Sequence, residues 1–453
     1  MSSLRPFGRM PVGLYQRCGL RVHRARFRGA SAGSRVIAAF CPGGSSAGPV
    51  HAAEASGRLG RARIPSERTH VSAASFRYEK LGPEDFDRLV GGYPDVVVPI
   101  EQTPDWAGFE AALGRRPYGI WAYYDGATLV AVASYLLIQR RLRTSLVVVN
   151  GPVWFTERTP AAERSLMTTV LAQFAADPRV DPLYIRMQVS TPQPPAEGPL
   201  EHGWFEREIV VDLTPEEKDL FRSFKPNARN SIRRAQKSGV EVRSIPRELW
   251  SETFRQDLFP IMRETAERDG FESFASDYYE TLLTELGDYL RLLVAYLDGK
   301  PVSWLITSEY RGSAVYYFAG STQQARRIFA PYLLLWEAFR ELKAAGNRTC
   351  ALTGIVSDNY PQLANVTTFK RNFSKNVVVV PTTYDLPVKP LQYRALAAAL
   401  HARRSLPGQV RAARKVLAAA RGSIAARTGP ATVPPAQPDT DAQPAADAGS
   451  RPA

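Results

Sequence analysis

Cysteine and histidine are scarce: the 453 residues include 3 Cys and 5 His. Between positions 71 and 400 only Cys350 and His202 remain. This scarcity excludes a Cys/His zinc cluster, and a Cys–His nucleophile pair unless those two residues meet. His202, in EHGWF ahead of a β-rich run, reads as a surface loop residue. One thiol in the body of the chain suits a reducing cytosol. No apolar run approaches the ~18 residues of a membrane span, and RVIAAFCPGG is too short for the core of a signal peptide. Acids are missing from the ends. Residues 1–70 carry twelve Arg and two Glu, and residues 401–453 carry seven Arg, one Lys and three Asp. Of the formal charge of +14, the ends supply +10 and +5, so residues 71–400 sit at −1. The body is neutral, and the basicity is not a property of the folded part.

Both ends lack hydrophobic periodicity and are expected to be disordered. Residues 1–70 read as an Arg-rich leader, or as a start placed too far upstream. The end from 406 is basic and then low-complexity. Within the body one pattern occurs twice. GIWAYYDGATLVAVASYLLI (119–138) and RLLVAYLDGKPVSWLITSEY (291–310) are each two β-rich runs joined through Asp-Gly, a hairpin signal, with Asp125 and Asp298 lying 173 residues apart. Each is followed by a strand (SLVVVNGPVWF; AVYYFAGS), a helix from Pro160 or Ala330, and a further strand (PLYIRMQV; CALTGI). Hairpin, strand, helix, strand, twice over, predicts duplicated α/β domains with mixed sheets.

That order resembles the acetyltransferase-like GNAT fold. Its usual glycine-assisted pyrophosphate loop is missing, because TERTPAAERS and TQQARRIFAP contain no glycine. A closer resemblance covers about 95 to 400: the chain is similar to the Fem family of peptidoglycan bridge-forming aminoacyltransferases. KPNARNSIRRAQKSGVEV, ERDGFESFASDYY, YYFAGS with APY nine residues after Ser321, TGI and FKRNF carry it, in this order and spacing. The resemblance implies two tandem GNAT-like domains, 71–204 and 205–374, with 375–405 a closing strand and helix returning to the first. No heptad run is present, so the coiled-coil arm of some members is not expected. It further implies transfer of an amino acid from aminoacyl-tRNA to an amine of a peptidoglycan precursor such as lipid II, with aminoacyl-tRNA as co-substrate and no cofactor or metal. Such an ester is already activated. A free amine can attack it without a protein nucleophile, provided the substrates are aligned and the oxyanion is stabilised.

Leu363, Val366, Phe369, Lys370 and Phe373 follow a helical apolar stripe with Lys370 at its edge. From spacing alone Lys370 is either a lysine snorkelling to water or a functional cation. The resemblance makes Lys370 the catalytic residue, the lysine that contacts the reacting carbonyl, and Phe369 its partner in substrate binding. Tyr278 matches a substrate-contacting tyrosine, with core packing as the alternative, and Phe318 stands where a tyrosine is expected. Glu110 and Phe274 stand where relatives that bind a nucleotide-linked precursor carry basic residues, and Gln188 and Ala351 where relatives carry acids. The expectation is that the precursor's diphosphate is held differently, or that the substrate is lipid-linked or not peptidoglycan.

Thr214 to Glu217 spell a capping box that predicts a helix start. Pro226 is expected to interrupt that helix and Gly239 to end its second piece. In that piece Ala228, Ile232 and Ala235 face a core, while Arg229 and Arg233 form a neighbouring stripe almost without acids. The stripe is either a solvated face or a phosphate-binding one. The stretch from Val388 to Thr428 has nine Lys or Arg and no acid, and it could lie on an anionic membrane surface or on tRNA. Two other readings stand beside this one: an N-acyltransferase using acyl-CoA on a sugar or lipid amine, and a non-catalytic RNA-binding protein. The expected location is the cytoplasm, at the inner membrane surface if the basic segment binds lipid.

Overall fold

The computed structural model describes residues 75–140, 143–200 and 205–402. His202, the Arg-rich leader and the tail from 403 lie outside the described residues. The described body runs to Pro390, and a second unit begins at Leu391.

Two mixed sheets form the body. Strands β1 (Arg77–Leu81), β2 (Arg116–Asp125), β3 (Thr128–Arg140), β4 (Arg143–Val147), β5 (Val153–Trp154) and β6 (Tyr184–Val189) belong to the first. The second holds β7 (Arg207–Asp212), β8 (Glu241–Ser244), β9 (Leu290–Leu297), β10 (Lys300–Tyr310), β11 (Ser313–Ser321), β12 (Thr349–Gly354) and β13 (Val377–Val379). The last strand, β14 (Thr382–Pro387), pairs antiparallel with β6 and so completes the first sheet. The orders are β1-β2-β3-β4-β6-β14, with β5 on β3, and β13-β7-β12-β11-β10-β9-β8. Both sheets thus contain the repeated hairpin, strand, helix and parallel strand. In each, the parallel strand is flanked by an antiparallel one, β14 in the first and β7 in the second.

The hairpins form where the turn chemistry demands. Asp298 and Gly299 both have positive φ, at +49° and +73°, and Leu297 pairs with Lys300 across a two-residue loop. This is the mirror-image turn that suits strand twist. The first copy differs from the sequence reading: Asp125 is the last strand residue, paired with Thr128, and the loop is Gly126-Ala127.

One face of the second sheet packs on the helices Pro226–Lys237 and Ala330–Ala344. Ile209, Val211, Ala228, Ile232, Ala235, Leu334, Phe339, Cys350, Leu352 and Phe373 share that core. As expected, Pro226 is the first residue of its helix, and Gly239 follows its end at φ +77°. The predicted capping box does not form. Asp212 accepts both the backbone N–H (2.9 Å) and the hydroxyl (2.7 Å) of Thr214. This Asx turn takes the cap away, and the helix starts at Glu217.

The opposite face of the second sheet is covered unevenly. Over β9, β10 and β11 lies an aromatic core that includes Tyr278, Tyr279, Trp304 and Phe318. Ile100, Trp106 and Phe109, from the segment preceding β2, join it. Over β7 and β12 there is no such cover: Glu208, Val210, Ala351 and Thr353 are only half-buried. That bare strip holds the candidate site.

Candidate active site

The parallel pairing of β11 with β12 covers only Ser313–Val315 against Thr349–Ala351. Beyond it the two strands run on without partnering each other, so a wedge opens between Phe318–Ser321 on one side and Leu352–Gly354 on the other. On its β12 side the ladder with β7 is bulged between Ala351 and Gly354, and Thr353 lies in the left-handed region at φ +59°. For a β-branched residue that conformation stores about 1–3 kcal/mol of strain, which the surrounding structure must hold in place. The bulge turns the Thr353 hydroxyl and the Gly354 carbonyl toward one lysine. At Gly354 a Cβ would lie 2.6 Å from the Phe205 side chain, so glycine is needed for that approach.

Lys370, on the helix Ala364–Lys370, is 7% exposed. Its Nζ donates to Gly354 O at 2.7 Å and to Thr353 Oγ1 at 3.1 Å, while the Thr353 hydroxyl itself donates to Leu352 O. Two of the three ammonium donors are therefore taken by fixed acceptors, leaving one for a substrate oxygen. The apolar-stripe reading of this helix needs correction: Val366 is 41% exposed, and Thr367, Lys370 and Phe373 face inward. A Thr367 hydroxyl that accepts from Val356 N at 2.8 Å explains the turn of the helix. Lys370 does not snorkel.

Burial pulls the Lys370 ammonium down to about 7, against the attraction of Glu208. Glu208 was not singled out from the sequence. It stands on β7 directly across from Gly354, and its carboxyl is pushed up to about 7, first by burial and further by the negative charge of Glu101. Glu101 is buried in the turn Ile100–Gln102, where loss of solvent raises its pKa, and it accepts a hydrogen bond from Tyr317 at 3.0 Å. Its neighbour Gln102 accepts from Ser134 N on β3 and donates to Val149 O, so the turn is anchored to the first sheet while Glu101 reaches the second. Lys370, Glu208 and Glu101 thus form a charged row beside the wedge.

The other expected site residues fall in separate places. Tyr278 and Phe318 lie together in the aromatic core with ring centroids 6.2 Å apart, and Tyr278 stacks on Phe274 at 4.0 Å. Phe369 packs on Tyr332 (4.9 Å) and Phe373 (5.3 Å), on the opposite face of the sheet. Glu110 is buried and paired with Arg115 at 2.6 Å. The helix Pro226–Lys237 starts beside the lysine helix, where Lys225 N donates to Asn372 O at 2.9 Å. Arg229 turns back to donate to the carbonyls of Arg222 (2.9 Å) and Phe224, which end the preceding helix. Arg233 and Arg234 are exposed, with their guanidinium carbons over the rings of Phe221 (5.3 Å) and Phe329 (4.4 Å).

A doubled GNAT-like fold with a buried, polar-anchored lysine at a strand wedge defines a transferase. Residues 203–311 and 301–401 match the sequence model of the FemAB family, which supports a Fem-family protein. In fold it is similar to FemX, with 13% identity over 71% of this chain and 100% of that one, at a TM-score of 0.58. Other similar structures are the C-terminal domain (DUF2156) of a putative lysylphosphatidylglycerol synthetase from Agrobacterium fabrum (15% identity, 61% of this chain and 85% of that one, TM-score 0.40) and a tandem GNAT protein from the clavulanic acid biosynthesis pathway (14%, 70% and 99%, TM-score 0.38). No curated protein matches the sequence. Among the described residues no helix is long and apolar enough to cross a membrane, and no group of three His, Cys, Asp or Glu could hold a metal ion.

Proposed function

We propose that the chain is an aminoacyltransferase that moves an amino acid from aminoacyl-tRNA to an amine of a peptidoglycan precursor. The observation that carries this reading is the Lys370 ammonium at the wedge between β11 and β12, with two of its three N–H groups satisfied. An aminoacyl ester laid in the wedge would present its carbonyl oxygen to the remaining N–H of Lys370. That cation, held in a buried site by Thr353 and Gly354, stabilises the oxyanion that forms when an amine attacks. Phe369 would support Lys370 from the opposite face of the sheet, and Tyr278 and Phe318 would line the far side. Aminoacyl-tRNA is then the co-substrate, with no further cofactor in the reaction. The short helix Gln323–Arg327, where a CoA-binding relative would need a glycine turn, favours this donor over acyl-CoA.

In this reading the chain works in the cytoplasm as two GNAT-like domains, 71–204 and 205–374, closed by 375–405. The basic stretch to Thr428 would bring it to an anionic membrane surface, where a lipid-linked precursor resides. The test is a transfer assay with residues 71–453, tRNA charged with mixed radiolabelled amino acids, and a lipid II-type acceptor, beside parallel reactions with acyl-CoA donors. Label entering the acceptor only from charged tRNA is the expected result. Acylation from acyl-CoA alone would overturn the donor.

A further inference from the structure

We infer that Glu208 is the proton acceptor of the transfer, the catalytic residue that takes the proton from the attacking amine and returns it to the leaving ribose oxygen. The inference rests on the aminoacyl-transfer reading and adds to it the base that an aminolysis needs.

Position comes first. Glu208 is the strand partner of Gly354, whose carbonyl holds Lys370, so the carboxylate and the ammonium flank the same backbone unit. It belongs to the face of β7 left uncovered, while its neighbours Ile209 and Val211 are buried in the core behind. Among the described residues the Glu208 carboxyl accepts no hydrogen bond, and its one nearby cation is Lys370. It is therefore free to receive a proton.

The groups around Glu208 leave no competitor. Lys370 faces it from the lysine helix, with two N–H groups held by Thr353 and Gly354 and the third assigned to the ester oxygen. Glu101 faces it from the turn before β2, but its carboxylate is occupied by Tyr317 and by the side chain of Asn150. Cys350 faces the core from β12, and its thiol is pushed up to about 12 by burial. Glu208 remains, with burial and Glu101 raising its carboxyl toward the pH at which an amine must be deprotonated.

The proton balance closes without a co-reactant. The acceptor ammonium gives one proton to solvent on becoming a free amine, and its nitrogen forms the bond to the ester carbonyl carbon. The resulting N–H proton passes to the Glu208 carboxylate. As the tetrahedral intermediate collapses, the bond to the ribose oxygen breaks and Glu208 protonates that oxygen, leaving an amide and uncharged tRNA.

Single-turnover transfer by Glu208→Gln and Glu208→Asp, measured from pH 5.5 to 9, tests this. Glu208→Gln should lower the rate by roughly 10²–10⁴-fold and remove the acidic limb near neutrality, leaving only the rise set by the acceptor ammonium. Glu208→Asp should restore part of the rate and keep a limb, displaced in pH. Melting temperatures no lower than wild type would show that neither variant is misfolded. A Glu208→Gln rate within a few-fold of wild type, with the acidic limb unchanged, would overturn the inference. If wild type transfers from acyl-CoA and not from charged tRNA, the donor reading falls; the same comparison with acyl-CoA then decides the role of Glu208 by the same limb.

Discussion

Lys370 Nζ lies 2.7 Å from the carbonyl oxygen of Gly354, the residue that faces Glu208 across the β7–β12 ladder. One peptide unit thereby sets the separation of a cation and a carboxylate that are both partly stripped of water. Neither is needed to hold the strands together, since the ladder is made by backbone groups. Their burial is a cost, offset only in part by their mutual attraction.

Lys370→Met follows from that cost. Methionine fills a similar volume without a charge, so the variant should fold, but it leaves Glu208 without its cation and should melt below the wild-type temperature at neutral pH. Transfer should fall by roughly 10²–10³-fold, because the oxyanion loses its cation. Thermal melts and single-turnover rates measured on one preparation check both halves. Normal turnover would remove Lys370 from the chemistry.

Stability should depend on pH in a way that names both groups. Glu208 has its folded pKa raised from 4.5 to about 7, so the unfolded chain releases that proton first, and stability falls as pH rises from about 4.5 through 7. Glu101, raised by burial, acts in the same direction. Lys370 has its folded pKa lowered from 10.5 to about 7. Between those values the unfolded state binds more protons, so stability rises again with pH. Denaturant titrations of wild type should therefore show the contribution of this pair at its least favourable near neutrality. In Lys370→Met the rise from 7 to 10.5 should vanish. The fall caused by Glu208 should extend above pH 7, because its cation is gone.

The doubled fold is legible in the sequence because hairpins, turns and capped helices are local: Asp298-Gly299 announces its turn within two residues. The wedge is less so. The motif TGI marks Thr353 and Gly354, but the positive φ and the bulge that aim them depend on the ladder with β7. The lysine helix misleads, since Val366 looks like a core residue and is exposed, while Thr367 turns inward to cap the Val356 N–H. Glu208 gives no signal at all. In REIVVD an acid alternating with Ile209 and Val211 has the pattern of a solvated strand face. Only the turn at Glu101, more than a hundred residues away in the chain, brings the negative charge that helps raise its carboxyl.

Arg229 and Arg233, alike in the sequence as one basic stripe, have different duties, and the difference can be measured. Arg229 is committed to the carbonyls of Arg222 and Phe224, so Arg229→Ala should destabilise the fold by about 1–3 kcal/mol, the range for hydrogen bonds from a charged donor. Arg233 and Arg234 have no carboxylate partner among the described residues. Each rests on a ring that limits its motion while its outer N–H groups face solvent. Such preordered guanidinium groups suit phosphates. The double variant Arg233→Glu with Arg234→Glu should therefore melt within a degree or two of wild type but bind charged tRNA more weakly. Its log–log slope of affinity against salt should be shallower by roughly 1–2, as expected when about two phosphate contacts are lost. If the slope stays as in wild type while affinity falls, the tRNA backbone does not lie on this helix, and the rings beneath the two arginines serve only to pack them against the surface.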